Sequence, residues 1–377
     1  MTQTKNTITG GITDEELAEM QSFVNAPIVI EQFNDQAGHD VVKHYAWGIG
    51  DLNPLYLDEE YAKRSRFGTR IAPPCFIYSV CDAEVARGLP EDVQPLHTAS
   101  QVKPRRAIQV GEWVRAESNL DSVESITGRR GGRMARQKSS TYYYVGDELV
   151  SSTHQTILCV RHAAGHSAGG AHKVREMSSY TEEEYAAIDA EVLAEKRRGD
   201  NPRYVEDLRV GDLVPQVIKG PLDQMAMTAY YSGAVGSAGY RGVETRVHVQ
   251  ERVRQGSPDA PTNFDAHHWL ARTSPSIGHQ NPEYAKKVGM PGPYDNGNQR
   301  TAWVAHCITN WMGDDADLLE VTVRLDGANV FGDTLRISGT VTEVGTDGIA
   351  TLDLVGINQL GEKSTSAIGR VRLPRRG

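Results

Sequence analysis

Among the 377 residues, groups able to do chemistry gather in a few places. Asp265 with His267 and His268 offers a carboxylate and two imidazoles within four positions. Adjacent histidines seldom turn to one ion and no further ligand follows at metal spacing, so a structural loop is the expected role and no metal site is assigned. His162, His166 and His172 fall in HAAGHSAGGAHK, whose small polar composition reads as a solvated linker without chemistry. The stretch Tyr294-Asp295-Asn296-Gly297-Asn298-Gln299-Arg300 is different, because a polar run there heads an otherwise apolar helix. Gln299 and Arg300 would bind ligand oxygens, or cap and pair locally. The basic run Gly128 to Arg136 suits phosphates or a solvated hairpin. Cys75, Cys81, Cys159 and Cys307 form no CxxC pair, which points to buried thiols. Neither GxGxxG nor GxxxxGK[ST] occurs, so dinucleotide and P-loop readings have no motif.

The elements that must carry these groups follow from composition and period. Hydrophobic residues at 39% and charged residues at 24% suit a soluble globular chain of about two domains. A net charge of −9 argues against a nucleic-acid partner, whose phosphates need a basic surface. No apolar run reaches membrane length, and the opening MTQTKNTITGG lacks an apolar core, so a cytoplasmic location is expected. Thr13 and Glu16 have capping-box spacing and open a helix reaching Val24. Residues 161–203 read as a linker with a helix in TEEEYAAIDAEVLAEKRR, dividing a unit at 1–160 from one at 204–377.

The two units repeat each other. Tyr45 to Asp51 corresponds to Tyr231 to Ser237, Tyr56-x-Asp58-x-x-x-Ala62 to His279-x-Asn281-x-x-x-Ala285, and VGEWVRAESNLDSV at 110–123 to FGDTLRISGTVTEV at 331–344. In the last pair a Gly-acidic turn leads into period-two alternation, the mark of a half-buried strand. Each copy then reads as a short helical region, a Pro/Gly-rich loop, a hydrophobic helix and several antiparallel strands. The hydrophobic helices are expected at 74–87 and 298–311, with strands at 113–123, 141–145 and 153–160 in one copy and 319–325, 334–344 and 350–357 in the other. This is an α+β design.

Tyr45-Ala46, Gly50-Asp51-Leu52-Asn53-Pro54-Leu55, Asp58, Ala62, Phe67 and Ile71-Ala72-Pro73 resemble the YAxxxGDxNPLHxDxxxA…F…IxHG signature of MaoC-like (R)-specific enoyl-CoA hydratases. The second copy, through His279, Ala285, Gly289 to Pro293 and Gly297, is similar to the C-terminal half of double-hotdog acyl dehydratases. The resemblance implies a double hotdog fold, an acyl-CoA substrate whose coenzyme A is the only cofactor-like group, no metal, and a homodimer. It also implies reversible water addition to a 2-enoyl thioester by an Asp and a His, with backbone N–H groups at a helix start receiving the thioester oxygen.

Neither copy holds the full pair. In the first, Asp51 and Asn53 are followed by Tyr56 at the His position and by Pro73-Pro74 where the signature has His-Gly, which removes an oxyanion donor. Asp51 and Asn53 are read there as a turn and helix cap retained beside the substrate. The second keeps His279 and Gly297 but has Ser237 at the Asp position, and an insertion at about 238–274 separates Ser237 from His279. Asp265 or Asp295 is the expected substitute carboxylate, and Asn296, Gly297, Gln299, Arg300 and Ser237, with Asp51, Asn53 and Tyr56 of the first copy, the expected substrate contacts, with the polar lining pointing to a polar or functionalised acyl group. The expected activity is hydration or dehydration at the 2,3 position. A hotdog thioesterase and a non-catalytic acyl-CoA-binding subunit are the alternatives.

Overall fold

A computed structural model of the chain describes residues 11–127, 132–161, 176–234, 242–262, 275–287 and 290–376. Strands β1 (Val93–Pro104), β2 (Arg115–Thr127), β3 (Arg133–Val145) and β4 (Glu148–Arg161) come from the first copy. Strands β5 (Leu213–Lys219), β6 (Asp317–Leu325), β7 (Leu335–Val344), β8 (Ile349–Asn358) and β9 (Lys363–Arg372) come from the second. They form one antiparallel sheet in the order β2-β3-β4-β1-β6-β9-β8-β7-β5. The copies join through equivalent strands, each the first after its copy's hydrophobic helix, with Ala99 opposite Arg324 and Val102 opposite Val321. Gln101 stitches the seam, its amide donating to Glu320 at 2.9 Å and Thr322 at 3.1 Å.

The repeat is visible in detail. Gly111 and Gly332 both adopt positive φ, and the acidic side chain that follows each, Glu112 or Asp333, accepts the N–H three residues back, from Gln109 at 2.8 Å and Val330 at 2.9 Å. Asp58 and Asn281 cap matching helices by accepting the N–H of Tyr61 and Tyr284. Helices His39–Gly48 and Gln224–Ala234 cross where a Cβ on Gly48 would stand 2.8 Å from the Ala229 carbonyl and one on Gly233 would stand 2.9 Å from Tyr45 Cα. Close backbone contact at that crossing requires glycine on both sides.

The two hydrophobic helices are unequal. In the second copy the helix runs Gly297–Met312 and is buried along most of its length against the sheet. In the first copy the expected helix at 74–87 is only Ile77–Val80. It stops because Cys81 turns extended, at φ −154°, and Asp82 accepts the Glu84 N–H at 3.2 Å, a side-chain turn that competes with helix continuation. Residues 81–86 run on as buried, non-helical chain, so two carboxylates enter the protein interior.

Thr13 and Glu16 form the expected capping box, on helix Asp14–Ser22. A second box, Thr181 with Glu184, starts helix Glu182–Leu193. That helix is fastened to the second copy, Glu191 pairing with Arg336 at 2.6 Å, and Arg197 reaches Asn310 of the central helix at 3.0 Å. Among the described residues no helix is long and apolar enough to cross a membrane.

Candidate functional site

The signature of the first copy ends in a closed network. Asp51 Oδ1 accepts the Asn53 N–H at 2.9 Å, and Asn53 accepts that of Leu55 at 3.0 Å, capping the turn Pro54–Leu57. Around Asp51, which is 1% exposed, stand Arg197 at 3.6 Å and His306 at 3.5 Å. Lys219 donates to the carbonyls of Ile49 and Gly50 and to His306 Nδ1 at 2.7 Å. Burial raises the Asp51 carboxyl to about 6 against the pull of Arg197 and Lys219. Burial also lowers Lys219 to about 8, and with Lys219 and Arg197 it drives His306 well below the ordinary imidazole range. Asp51 therefore turns to protein partners, and the expected substrate contact there is replaced by a structural one. Asn53 and Tyr56 do line a cavity of about 370 Å³, beside Pro73-Pro74 and the C-terminal end of the central helix.

At the other end of that helix the second copy places His279. Its Nδ1 lies 2.8 Å from the Tyr294 carbonyl, which can only accept, so Nδ1 carries the hydrogen and Nε2 the lone pair of the neutral ring. The ring packs against Tyr294 at 4.4 Å and Tyr231 at 6.2 Å between centroids. Burial lowers its pKa, outweighing the Tyr294 carbonyl and the Glu84 and Asp295 charges, which raise it.

The polar run after His279 is spent locally. Asp295 is wholly buried and held two-fold by Arg300, Nε to Oδ2 at 2.6 Å and the second guanidinium nitrogen to Oδ1, with Asn329 donating to it at 3.2 Å. Arg300 also donates to the carbonyls of Gly327 and Ser364. Fully buried and bound through both oxygens, Asp295 acts here as a structural anchor of the helix start, with Arg300 as its partner. Asn296 and Gln299 form a reciprocal capping box at the start of the helix. Gly297 was expected to admit a thioester; the group against it is the imidazole of His97, and a Cβ at 297 would overlap Nδ1 of that ring. Asp265 and Ser237 lie outside the described residues, as do the three linker histidines and residues 128–131. Of the remaining basic run, Arg133 pairs with Asp14 and Arg136 with Glu124. Among the described residues no cluster of His, Cys, Asp and Glu could hold a metal.

Besides Asp295, the first copy brings a carboxylate near His279, that of Glu84. Glu84 and Asp82 sit on the buried chain after the shortened helix. Glu84 Oε1 is 2.9 Å from His97 Nδ1. His97 Nε2 meets Ser100 Oγ at 2.8 Å, and that hydroxyl donates to Gln155, so the imidazole is the donor to Ser100. Gln155 in turn donates to Asn298 in the first turn of the central helix, at 3.2 Å. Burial pushes Glu84 up, but His97 and His279 beside it hold the net direction below the usual carboxylate range. Asp82 is driven far above that range by burial and by the Glu84 charge. The two neighbouring carboxyls are thus pushed in opposite directions, Glu84 down and Asp82 up, the kind of separation that divides base and acid roles. Sequence reasoning missed Asp82, Glu84 and His97; the available signal was a pair of acids inside the apolar run Ile77 to Ala86.

Residues 27–153 match the model of the FAS1-like dehydratase domain region. A "UPF0336 protein" of Streptomyces avermitilis is 26% identical over 100 residues, which is 25% of this chain and 66%, just under two thirds, of that protein. A 3-hydroxybutyryl-CoA dehydratase of Methylorubrum extorquens is 33% identical over 101 residues, 27% of this chain and 59% of its own length. A solved MaoC-like dehydratase superposes over 93% of this chain and 99% of its own with a TM-score of 0.61 at 17% identity, a likeness of fold.

Proposed function

From a chain that has the double-hotdog fold of MaoC-like dehydratases and a FAS1-like dehydratase region in its first copy, we propose a hydro-lyase that adds water to, or removes it from, the 2,3 position of an acyl-CoA thioester. The observation that carries the reading is a neutral His279 of fixed tautomer sharing the start of the central helix with the anionic Glu84. Water is a poor nucleophile at neutral pH, so a base must take its proton as its oxygen bonds to C3. The Nε2 of His279 is proposed to take that proton and return it to C2, while Glu84 accepts the water's second hydrogen and orients it. Negative charge on the thioester oxygen is met by the positive end of the central helix. Coenzyme A enters as part of the substrate, with no further cofactor assigned. The polar run once suggestive of a functionalised acyl group is paired internally, so the acyl preference is left to measurement.

The test is a panel of short, aromatic and carboxylated 2-enoyl-CoA substrates, followed by loss of the conjugated-thioester absorbance and by thiol release. Water addition without thiol release is expected, with kcat falling by about 100-fold or more in His279→Ala and in Glu84→Gln. Thiol release would instead make the protein a thioesterase. Binding without turnover across the panel would make it a non-catalytic partner.

A further inference from the structure

The cavity at the C-terminal end of the central helix is separate from the His279 site. A helical rise of about 1.5 Å per residue puts roughly 20 Å between Gly297 and the cavity wall at Thr309 and Met312. Its walls are mainly apolar, with Leu55, Phe67 and Ile108 among them. Two features distinguish it from a packing void. Ser151 faces this space, is 2% exposed, and its hydroxyl has no hydrogen-bond partner among the described residues. A buried hydroxyl left without a partner carries a desolvation cost that a ligand atom would relieve.

The second feature is charge. Four guanidinium groups line the cavity. Arg66 is engaged by Asp317 and two carbonyls, and Arg106 by Glu112 and Glu148. Arg105 and Arg372 are exposed, and neither guanidinium has a hydrogen bond or ion pair among the described residues. An apolar pocket of about 370 Å³ with a buried orphan hydroxyl and two uncommitted guanidiniums at its edge matches an amphiphile whose apolar part is enclosed and whose charge is negative.

We propose that the first copy holds a second, non-catalytic site for an anionic amphiphile, a carboxylate or phosphate group on an aliphatic tail, bound by Arg105 and Arg372 at the mouth and by Ser151 inside. Pro74 offers no N–H to a developing oxyanion, so occupancy there leads to no turnover. The reading does not depend on the hydro-lyase assignment.

The experiment titrates 11-(dansylamino)undecanoic acid, a fluorescent anionic amphiphile, into the full chain in a His279→Ala background and follows the emission rise. Saturable binding is expected, weakened at least tenfold in the combined Arg105→Gln, Arg372→Gln variant and to a similar degree for the methyl ester on the parent protein. Because both arginines are exposed, the variant keeps its fold, which circular dichroism checks. No saturable binding, an ester as tight as the acid, or an affinity untouched by loss of both arginines overturns the proposal.

Discussion

A base that must be neutral before it can work sets the acid side of a rate profile. Burial lowers the His279 pKa, so protonation removes the base only at a pH below that of an ordinary imidazole. The acid limb of the hydration rate is therefore expected to be centred below pH 6.5; a limb centred at or above 6.5 would contradict the arrangement. Lys219 and Asp51 make a different prediction, on stability. Replacing Lys219 by Met removes a cation facing Asp51, whose folded pKa of about 6 is already raised above its unfolded value. A raised acid contributes stability below its unfolded pKa and loses it as pH rises through the folded one. Lys219→Met should thus cost about 3 kcal/mol in urea unfolding near pH 7, between the two pKa values, where both groups are charged, and clearly less at pH 5, where Asp51 takes a proton. An equal loss at both values would show that the lysine's charge is not what matters.

Among the elements, β9 shows why some strands were hard to read. The sequence suggested three strands per copy, whereas β1, β5 and β9 complete the sheet. Pro95 and a register shift between His97 and Ala99 hide the alternation of β1, and Pro215 interrupts β5. In β9 the alternation is broken by Gly369, which sits where Ile308 of the central helix presses on the sheet; a Cβ there would lie 2.7 Å from Ile308 Cδ1. Gly369→Val is expected to push the helix away at a cost of about 1–3 kcal/mol, read as a lowered Tm, and Ile308→Ala in the same chain should recover part of it. The central helix was legible because Ala302 to Ala305, Cys307, Ile308, Trp311 and Met312 keep it apolar with no proline or internal glycine, and the caps and Gly-acidic turns because each is a local rule. The shortened helix of the first copy was not, since Ile77 to Arg87 lacks a glycine or proline stop and ends through the side-chain turn of Asp82. The same ending delivers Asp82 and Glu84 to a site whose histidine lies nearly 200 positions away, which no local spacing can reveal.

For the whole molecule, one sheet and one large core run through both copies. Tyr45, Phe76 and Val102 of the first and Trp303, Val321 and Ile337 of the second belong to the same apolar cluster. Neither half can lose its fold without exposing that cluster and an unpaired strand at the β1–β6 seam. Heat unfolding should be a single cooperative transition in calorimetry despite the length of the chain; two resolved transitions would mean that the halves are energetically independent.

The imidazole of His97 resting on Gly297 has a consequence for descent. Two positions 200 apart in the chain share one volume, so a side chain at 297 is admitted only once the ring at 97 is gone. A relative with a side chain at 297 must have given up the ring at 97, and one that keeps the ring must keep the glycine, so the history of the first copy is written partly in the helix of the second.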